Sequence, residues 1–457
     1  MTMIPRRRND RAPAEVTLVK TRRIEMSVAE QCRRLVAFLR RQPRDIWTGG
    51  WPVLRRKLLM TLDVALAVPL VLAARLLRPV VLIRFGGLPT AAIGHLAFDM
   101  EFFLCRRDAG WYGPHTIDLF CCALPVCNQQ LKRMWERTVH VSRFTLAAER
   151  VNRYVPNGWG NRIPFGLIPS DTNSLFATTP PHLSFTPEEQ RQGADALRRL
   201  GVPEGQPFVC FHARDVAYYV EQSRRKSLYR NSEIQTYRPA VEALAQRGYV
   251  LLRLGAAVER PLPIRDSRII DYATTARTDF MDIFLCAHCH FYLGDGAGLF
   301  NVPLIFRRPV VLANYIPFEY TTTWSPSDLF IPKTMWLRSE SRLMTFGEIL
   351  RSGAGRFLRD DQYEQQGIEV INNTPEEIAA LALEMEARIA DTWQTTEEDE
   401  ELQRRFWEIF QRNSTFYASA PWRTHWRIGT GFLRQHRALL EPNTRPSPTM
   451  AQVRAAR

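Results

Sequence analysis

The residues best suited to chemistry lie in a few short blocks. Phe291-Tyr-Leu-Gly-Asp-Gly-Ala-Gly298 reads as a short apolar strand entering a glycine-rich turn, and the apolar residues 299–306 can open a helix. Such a turn leaves backbone N–H groups at a helix start, where the dipole adds partial positive charge and a phosphate fits. Gly294, Gly296 and Gly298 would let the backbone approach a ligand, although a tight turn with no ligand satisfies the same pattern. Asp295 is unusual there, because a carboxylate beside a phosphate cradle repels the anion; it binds sugar hydroxyls or a metal, or faces solvent. His212-Ala-Arg214-Asp215 follows the apolar run 208–211. Arg214 is suited to clamp a diphosphate through two parallel hydrogen bonds, or to pair with an acid such as Asp215. Tyr229-Arg230-Asn231-Ser232 offers an aromatic face, a cation and an amide to a base or phosphate, while Asn231 or Ser232 serves equally as a helix cap. Asp279 and Asp282 flank a helix start, where Asp279 is placed to cap as well as to meet a ligand. Gly86 and Gly87 end another β-rich run, with His95 and Glu101 shortly beyond. A base that deprotonates an acceptor hydroxyl must face the donor across a cleft, which makes His95 a candidate base, with a structural histidine as its alternative. His95, Arg214 and Asp215 are therefore the candidate catalytic residues, and His212 joins the glycines and polar groups as a candidate donor contact.

These residues need elements to position them. Residues 80–85 form a predicted strand, the stretch from Ile93 a helix, 117–120 a second strand and 131–135 the start of another helix. Thr186, Pro187 and Glu188-Glu189 punctuate a helix start, and Gly201 ends it. Strand 208–211, helix 234–247, strand 249–254, strand 269–270, helix 280–285, strand 291–293 and strand 310–313 follow. This alternation implies an α/β fold with parallel strands, and ligands in such sheets bind at the strands' C-terminal edge. His212, Arg214, Gly255, Asp271 and the turn from Gly294 to Gly298 all fall at strand C-ends. The expected organisation is a basic arm (1–57), an apolar helix (58–79), two facing Rossmann-like lobes (80–185 for the acceptor, 186–390 for the donor), a C-terminal helical segment (391–440) and a disordered tail (441–457).

The net charge of +14 is unevenly spread: residues 1–57 hold 15 Lys and Arg against 5 Asp and Glu, leaving 46 against 42 elsewhere. Clusters such as Arg6-Arg-Arg8, Arg22-Arg23 and Arg55-Arg-Lys57 suit an anionic membrane surface, and the near-neutral remainder with no nucleic-acid motif argues against a nucleic-acid partner. Residues 58–77 are mostly apolar, interrupted by Asp63, Pro69 and Arg75, with the charge-free stretch 64–74 too short to span a bilayer. An amphipathic, interface-lying helix is expected, with the protein cytoplasmic and peripheral on the inner face of the plasma membrane. Cys286-Ala-His-Cys289-His290 imitates haem-attachment and zinc patterns, but export is not indicated and only Cys210 and His212 offer further ligands, so core packing is expected. No metal motif, P-loop or G-x-S-x-G elbow is present, and no cofactor is expected.

Four blocks, in order, resemble a family of bacterial glycosyltransferases of surface-polysaccharide synthesis: Arg84-Phe-Gly-Gly87 with Ile93-Gly-His-Leu96; Phe211-His-Ala-Arg-Asp215; Tyr229-Arg-Asn-Ser232 with its following helix; and Asp279-Phe-Met-Asp282 with 291–298 and Val302-Pro303. The resemblance covers roughly residues 80–320. More distantly, the His-x-Arg loop and late glycine turn are similar to those of α1,6-fucosyltransferases, which implies the two-lobed GT-B architecture. The resemblance implies metal-independent transfer of a sugar from a nucleotide-sugar donor to a glycan or lipid-linked acceptor, with Arg214 on the donor diphosphate and the glycine turn near its phosphate or ribose. Relatives carry Thr or Ser within the turn where this chain has Asp295-Gly-Ala, so hydroxyl donors to phosphate are missing. A catalytically silent, membrane-associated protein that binds glycan or nucleotide is the alternative.

Overall fold

A computed structural model describes residues 28–122, 125–155, 158–165, 175–217, 227–263, 266–321, 325, 327–415 and 426–441. The arginines before Val28, Trp422 and the tail beyond Glu441 lie outside the described residues. The chain forms two compact units, Met1–Leu66 and Ala67–Arg457. The described part of the first is helix α1 (Val28–Leu76), whose backbone leaves helical geometry at Gly50 (φ 60°, ψ −155°) and which continues into the second unit.

Within Ala67–Arg457, β1 (Leu82–Leu88) pairs in parallel with β2 (Thr116–Cys122), and α2 (Ile93–Asp108) connects them. Single parallel bridges, Phe85 to Arg162 and Phe120 to Val141, flank this pair. Helices α3 (Gln129–Thr138) and α4 (Arg143–Tyr154) follow, capped by the side chains of Asn128 and Ser142. The expected stop of β1 at Phe85 is corrected: the strand continues through Gly86 and Gly87, which pair with Phe120 and Cys121.

Helix α5 (Pro187–Arg199) starts where its punctuation predicts, Thr186 and Glu189 exchanging hydrogen bonds in a capping box. A sheet of seven parallel strands follows: β3 (Phe208–Phe211), β4 (Val250–Arg253), β5 (Ile269–Ile270), β6 (Tyr292–Gly294), β7 (Val310–Tyr315), β8 (Leu329–Pro332) and, from the C-terminal region, a two-residue strand (Arg427–Ile428). The order across the sheet is Arg427–Ile428, β8, β7, β6, β3, β4, β5. Helix 234–247 is in fact a 3₁₀ turn (Ile234–Tyr237) followed by α6 (Arg238–Gln246), because Pro239 sits in the first helical turn and starts the helix anew. Helix α7 (Asp279–His288) precedes β6, and α8 (Asn301–Ile305) is shorter than the run after the turn suggested. A small antiparallel sheet, 342–343, 334–337 and 368–371, and two long helices, α9 (Pro375–Ile389) and α10 (Glu397–Asn413), complete the unit.

One apolar core runs under both main sheets. Cys210, Cys286 and Cys289 belong to it, and burial pushes the Cys210 and Cys286 thiols up, as packing cysteines require. The His290 ring packs against Tyr249.

Candidate functional site

Strand order places the site. β4 and β5 lie on one side of β3, and β6, β7 and β8 on the other. The chain reverses its direction of build-up between β3 and β6, and a crevice opens where connections leave two adjacent strand ends in opposite directions. Those two ends carry His212–Asp215 and the glycine turn. The His212 N–H donates to the Leu293 carbonyl at 3.0 Å, extending the pairing to the rim.

Asp295 knits the rim together. It is 1% exposed, so the expectation that it faces solvent or waits for hydroxyls or a metal is corrected. Its Oδ2 accepts from the Arg214 N–H at 2.7 Å and the Ser232 hydroxyl at 2.5 Å, and its Oδ1 accepts from the Ala297 N–H at 3.1 Å. His212 Nδ1 lies 3.7 Å from Oδ1, an ion-pair distance too long for a hydrogen bond. Burial by itself would raise the carboxyl's pKa, but His212, Ser232 and the Arg214 N–H outweigh it and hold it at about 2. The turn's own carboxylate therefore takes one of the amides that the sequence offered to a phosphate.

Arg214 and the turn are thus held side by side. Arg230 Nη2 donates to the Gly296 carbonyl at 2.6 Å, so this guanidinium braces the turn. The other residues of its block differ from expectation. Tyr229 is buried, its ring packed against Tyr363 and its N–H donated to Asp360, so its face is not open to a base. The carbonyls of Tyr229 and Asn231 accept from Lys333 Nζ at 2.7 and 2.6 Å. Ser232 serves Asp295 and caps no helix. Lys333 was missed in the sequence; burial pulls its pKa down to about 7 despite the nearby Asp295 carboxylate. A lone lysine inside the apolar run Leu329-Phe-Ile-Pro-Lys-Thr-Met-Trp336 was the available signal.

Against the glycine turn packs the start of α2, which no side chain caps. A Cβ on Gly94 would lie 2.9 Å from Gly298 Cα, and one on Gly298 would lie 3.0 Å from the Gly94 nitrogen. Two backbones touch here, which only glycine permits. His95, next in the chain, is half-exposed and hydrogen-bonds Asp99 through Nδ1 at 3.1 Å. The first sheet's helix start, the turn and the Arg214 loop therefore share one rim.

Four candidate groups do not reach this rim in an active form. Asp215 spends both oxygens on backbone, accepting from Ala217 N–H and Glu259 N–H, so it is a loop brace rather than a catalytic acid or base. Gly86 and Gly87 sit in the β1 ladder, and a Cβ on Gly86 would strike Ile163 at 2.8 Å. Asp279 accepts from the Gln129 N–H at 2.8 Å at the start of α3, and Asp282 is bound by Tyr272 and Arg277, burial raising its pKa to about 6. Both acids tie helices together.

Among the described residues one group of potential metal ligands converges: Glu101, Cys105 and His182. Arg307 Nη2 stands 2.7 Å from Glu101 and 3.8 Å from Cys105, so a guanidinium already fills the cation's place.

No family model matches the chain, and no curated protein matches it. Among solved structures, it is similar to a glycosyl transferase family 9 structure from Veillonella parvula (TM-score 0.40, 10% identity, 68% of this chain and 98% of that one). It is also similar to the ADP-heptose LPS heptosyltransferase II of E. coli (TM-score 0.31, 11% identity, 55% and 90%). A third is the dodecameric iron-containing heptosyltransferase TibC in complex with ADP-D-β-D-heptose (TM-score 0.28, 13% identity, 53% and 62%). At these scores the likenesses carry no inference about function.

Proposed function

We propose that this protein is a glycosyltransferase of GT-B-like build, with a nucleotide-sugar donor in the crevice between β3 and β6. One observation carries the reading: the strand order reverses where Arg214 and the glycine turn meet, and the uncapped start of α2 touches that turn at Gly94 and Gly298. Such a rim supplies what transfer requires. A guanidinium and helix-start amides stabilise the departing nucleotide diphosphate, while His95, oriented by Asp99, takes the proton of the attacking acceptor hydroxyl. The sugar carbon loses its bond to the diphosphate oxygen and gains one to the acceptor oxygen. That the donor is a nucleotide sugar, and the acceptor a glycan or lipid-linked glycan of surface-polysaccharide synthesis, rests on the resemblance in the sequence.

A second reading has its own support. Asp295 fills part of the turn and no hydroxyl follows it, which favours a silent binder. Calorimetry with nucleoside diphosphates decides the first point: Arg214→Ala is expected to weaken binding at least tenfold, about 1.4 kcal/mol, with an unchanged melting temperature. Equal affinity in the variant would reject the site. A panel of nucleotide sugars then separates the readings, since donor turnover marks the enzyme and binding without turnover marks the silent protein.

A further inference from the structure

We propose that the exposed apolar surface of the helix Gly50–Leu76 is covered by the hydrocarbon of one leaflet of an anionic bilayer, with both helix ends on the same membrane face. The helix is 27 residues long, with a mean hydropathy of 1.9 over its most apolar window, and by length and composition it could cross a membrane. Its packing argues otherwise. Ala67, Val71 and Ala74, spaced by four and three residues, form a buried stripe against Phe85, Ala147 and Ala148. The last third of the helix is therefore fastened along the α/β body and cannot lie deep in lipid on that side. Upstream, the apolar stretch from Leu58 to Leu66 is nine residues long and exposed throughout. At 1.5 Å per residue it is about 13 Å, well short of the ~30 Å hydrocarbon thickness, so with cations at both flanks it lies along one leaflet rather than across the bilayer.

Lipid, rather than a protein partner, suits this surface. Leu58, Met60, Leu62, Val64, Leu66 and Val68 are exposed on all sides of the helix, whereas a protein groove would cover one face and leave the rest wet. Eight Leu and three Val between Leu58 and Leu77 outweigh the single carboxylate of Asp63. The flanks carry the charges and rings that headgroups attract. Arg55, Arg56 and Lys57 precede the apolar stretch, Arg75 and Arg78 end it, and Trp47 and Trp51, 90% and 69% exposed, stand at the entry.

The test uses the full chain added to preformed, sealed vesicles of phosphatidylcholine and phosphatidylglycerol. The protein is expected to float with them in 1 M NaCl, and external trypsin is expected to cut the arginine-rich arm completely. Leu62→Arg/Leu66→Arg/Leu70→Arg, all at exposed positions, should lower the floating fraction at least tenfold without changing the melting temperature, whereas Leu228→Arg/Leu358→Arg on the body should not. Release of the wild type by salt, or flotation of the triple variant, overturns lipid burial. An arm protected from trypsin overturns the single-leaflet placement in favour of a crossing helix. A wild type that ignores vesicles and dimerises in solution shows that a second copy covers the helix.

Discussion

Two strand ends in this molecule carry glycines ahead of a helix, and they use them differently. At β1, Gly86 and Gly87 remain in the ladder, and the missing side chain of Gly86 makes room for Ile163. At β6, Gly294 still pairs with Leu312, but Gly296 and Gly298 lie beyond the ladder, and Gly298 meets the backbone of Gly94 at the start of α2. The same residue type thus makes room for a side chain at one end and for another backbone at the other. The β6 end is also held by buried charge: Asp295 gathers three donors, and Lys333 clamps the Tyr229–Asn231 carbonyls. A strand–glycine–helix pattern in a sequence therefore marks a place where something approaches closely, without saying whether a side chain, a backbone or a ligand does so.

The largest effect that would break this contrast is expected from Asp295→Ala. It orphans the Arg214 and Ala297 amides and the Ser232 hydroxyl, so chemical denaturation should show a loss of about 3–5 kcal/mol, together with lost nucleotide binding. Because the folded carboxyl sits at about 2, below its usual value near 3.8, its contribution is present above pH 4 and is lost as pH falls toward 2. The wild type should accordingly lose more stability than Asp295→Ala across that window; parallel curves would deny the buried role.

Lys333 provides the second test. Its folded pKa of about 7 lies below the usual 10.5, so between these values the unfolded chain binds more protons and the group's contribution grows as pH rises. The stability difference between wild type and Lys333→Met should therefore increase from pH 7 to pH 10, with a slope of at most about 1.4 kcal/mol per pH unit. A flat difference would mean that the ammonium is not desolvated as its burial implies.

The glycines sharpen the contrast directly. Gly298→Ala forces two backbones apart and should cost about 1–3 kcal/mol, with weaker nucleotide binding. Gly87→Ala meets only Cys121 Sγ at an ordinary 3.7 Å, so it should change stability by no more than about 1 kcal/mol and leave binding intact. Impaired binding in Gly87→Ala would return that strand end to the site.

Much of the local structure was legible before any coordinates. The helix start at Thr186 and Pro187, the helix stop at Gly201, the run of parallel strands and the packing role of Cys286 and Cys289 follow from short-range chemistry that neighbouring residues satisfy. The site was legible only in part. Arg214 and the turn were placed on one rim because both follow strands in a parallel sheet, yet Asp215, Tyr229, Asp279 and Asp282 were given to a ligand when protein groups distant in sequence already hold them. Their partners Glu259, Tyr363, Gln129 and Tyr272 lie 10 to 150 positions away, a separation that no local pattern reveals.

The alternation of strand and helix, the helix starts and the apolar segment flanked by cations depend on residue types within one or two turns of each other, so the order of amino acids is enough to set them. The reversal of strand order between β3 and β6, the inward turn of Asp295 and the contact of Gly94 with Gly298 arise only in the folded chain. Burial and close approach are properties of pairs brought together by folding. A carboxylate or a glycine has the same letter whether it waits for a ligand or is already satisfied by the chain.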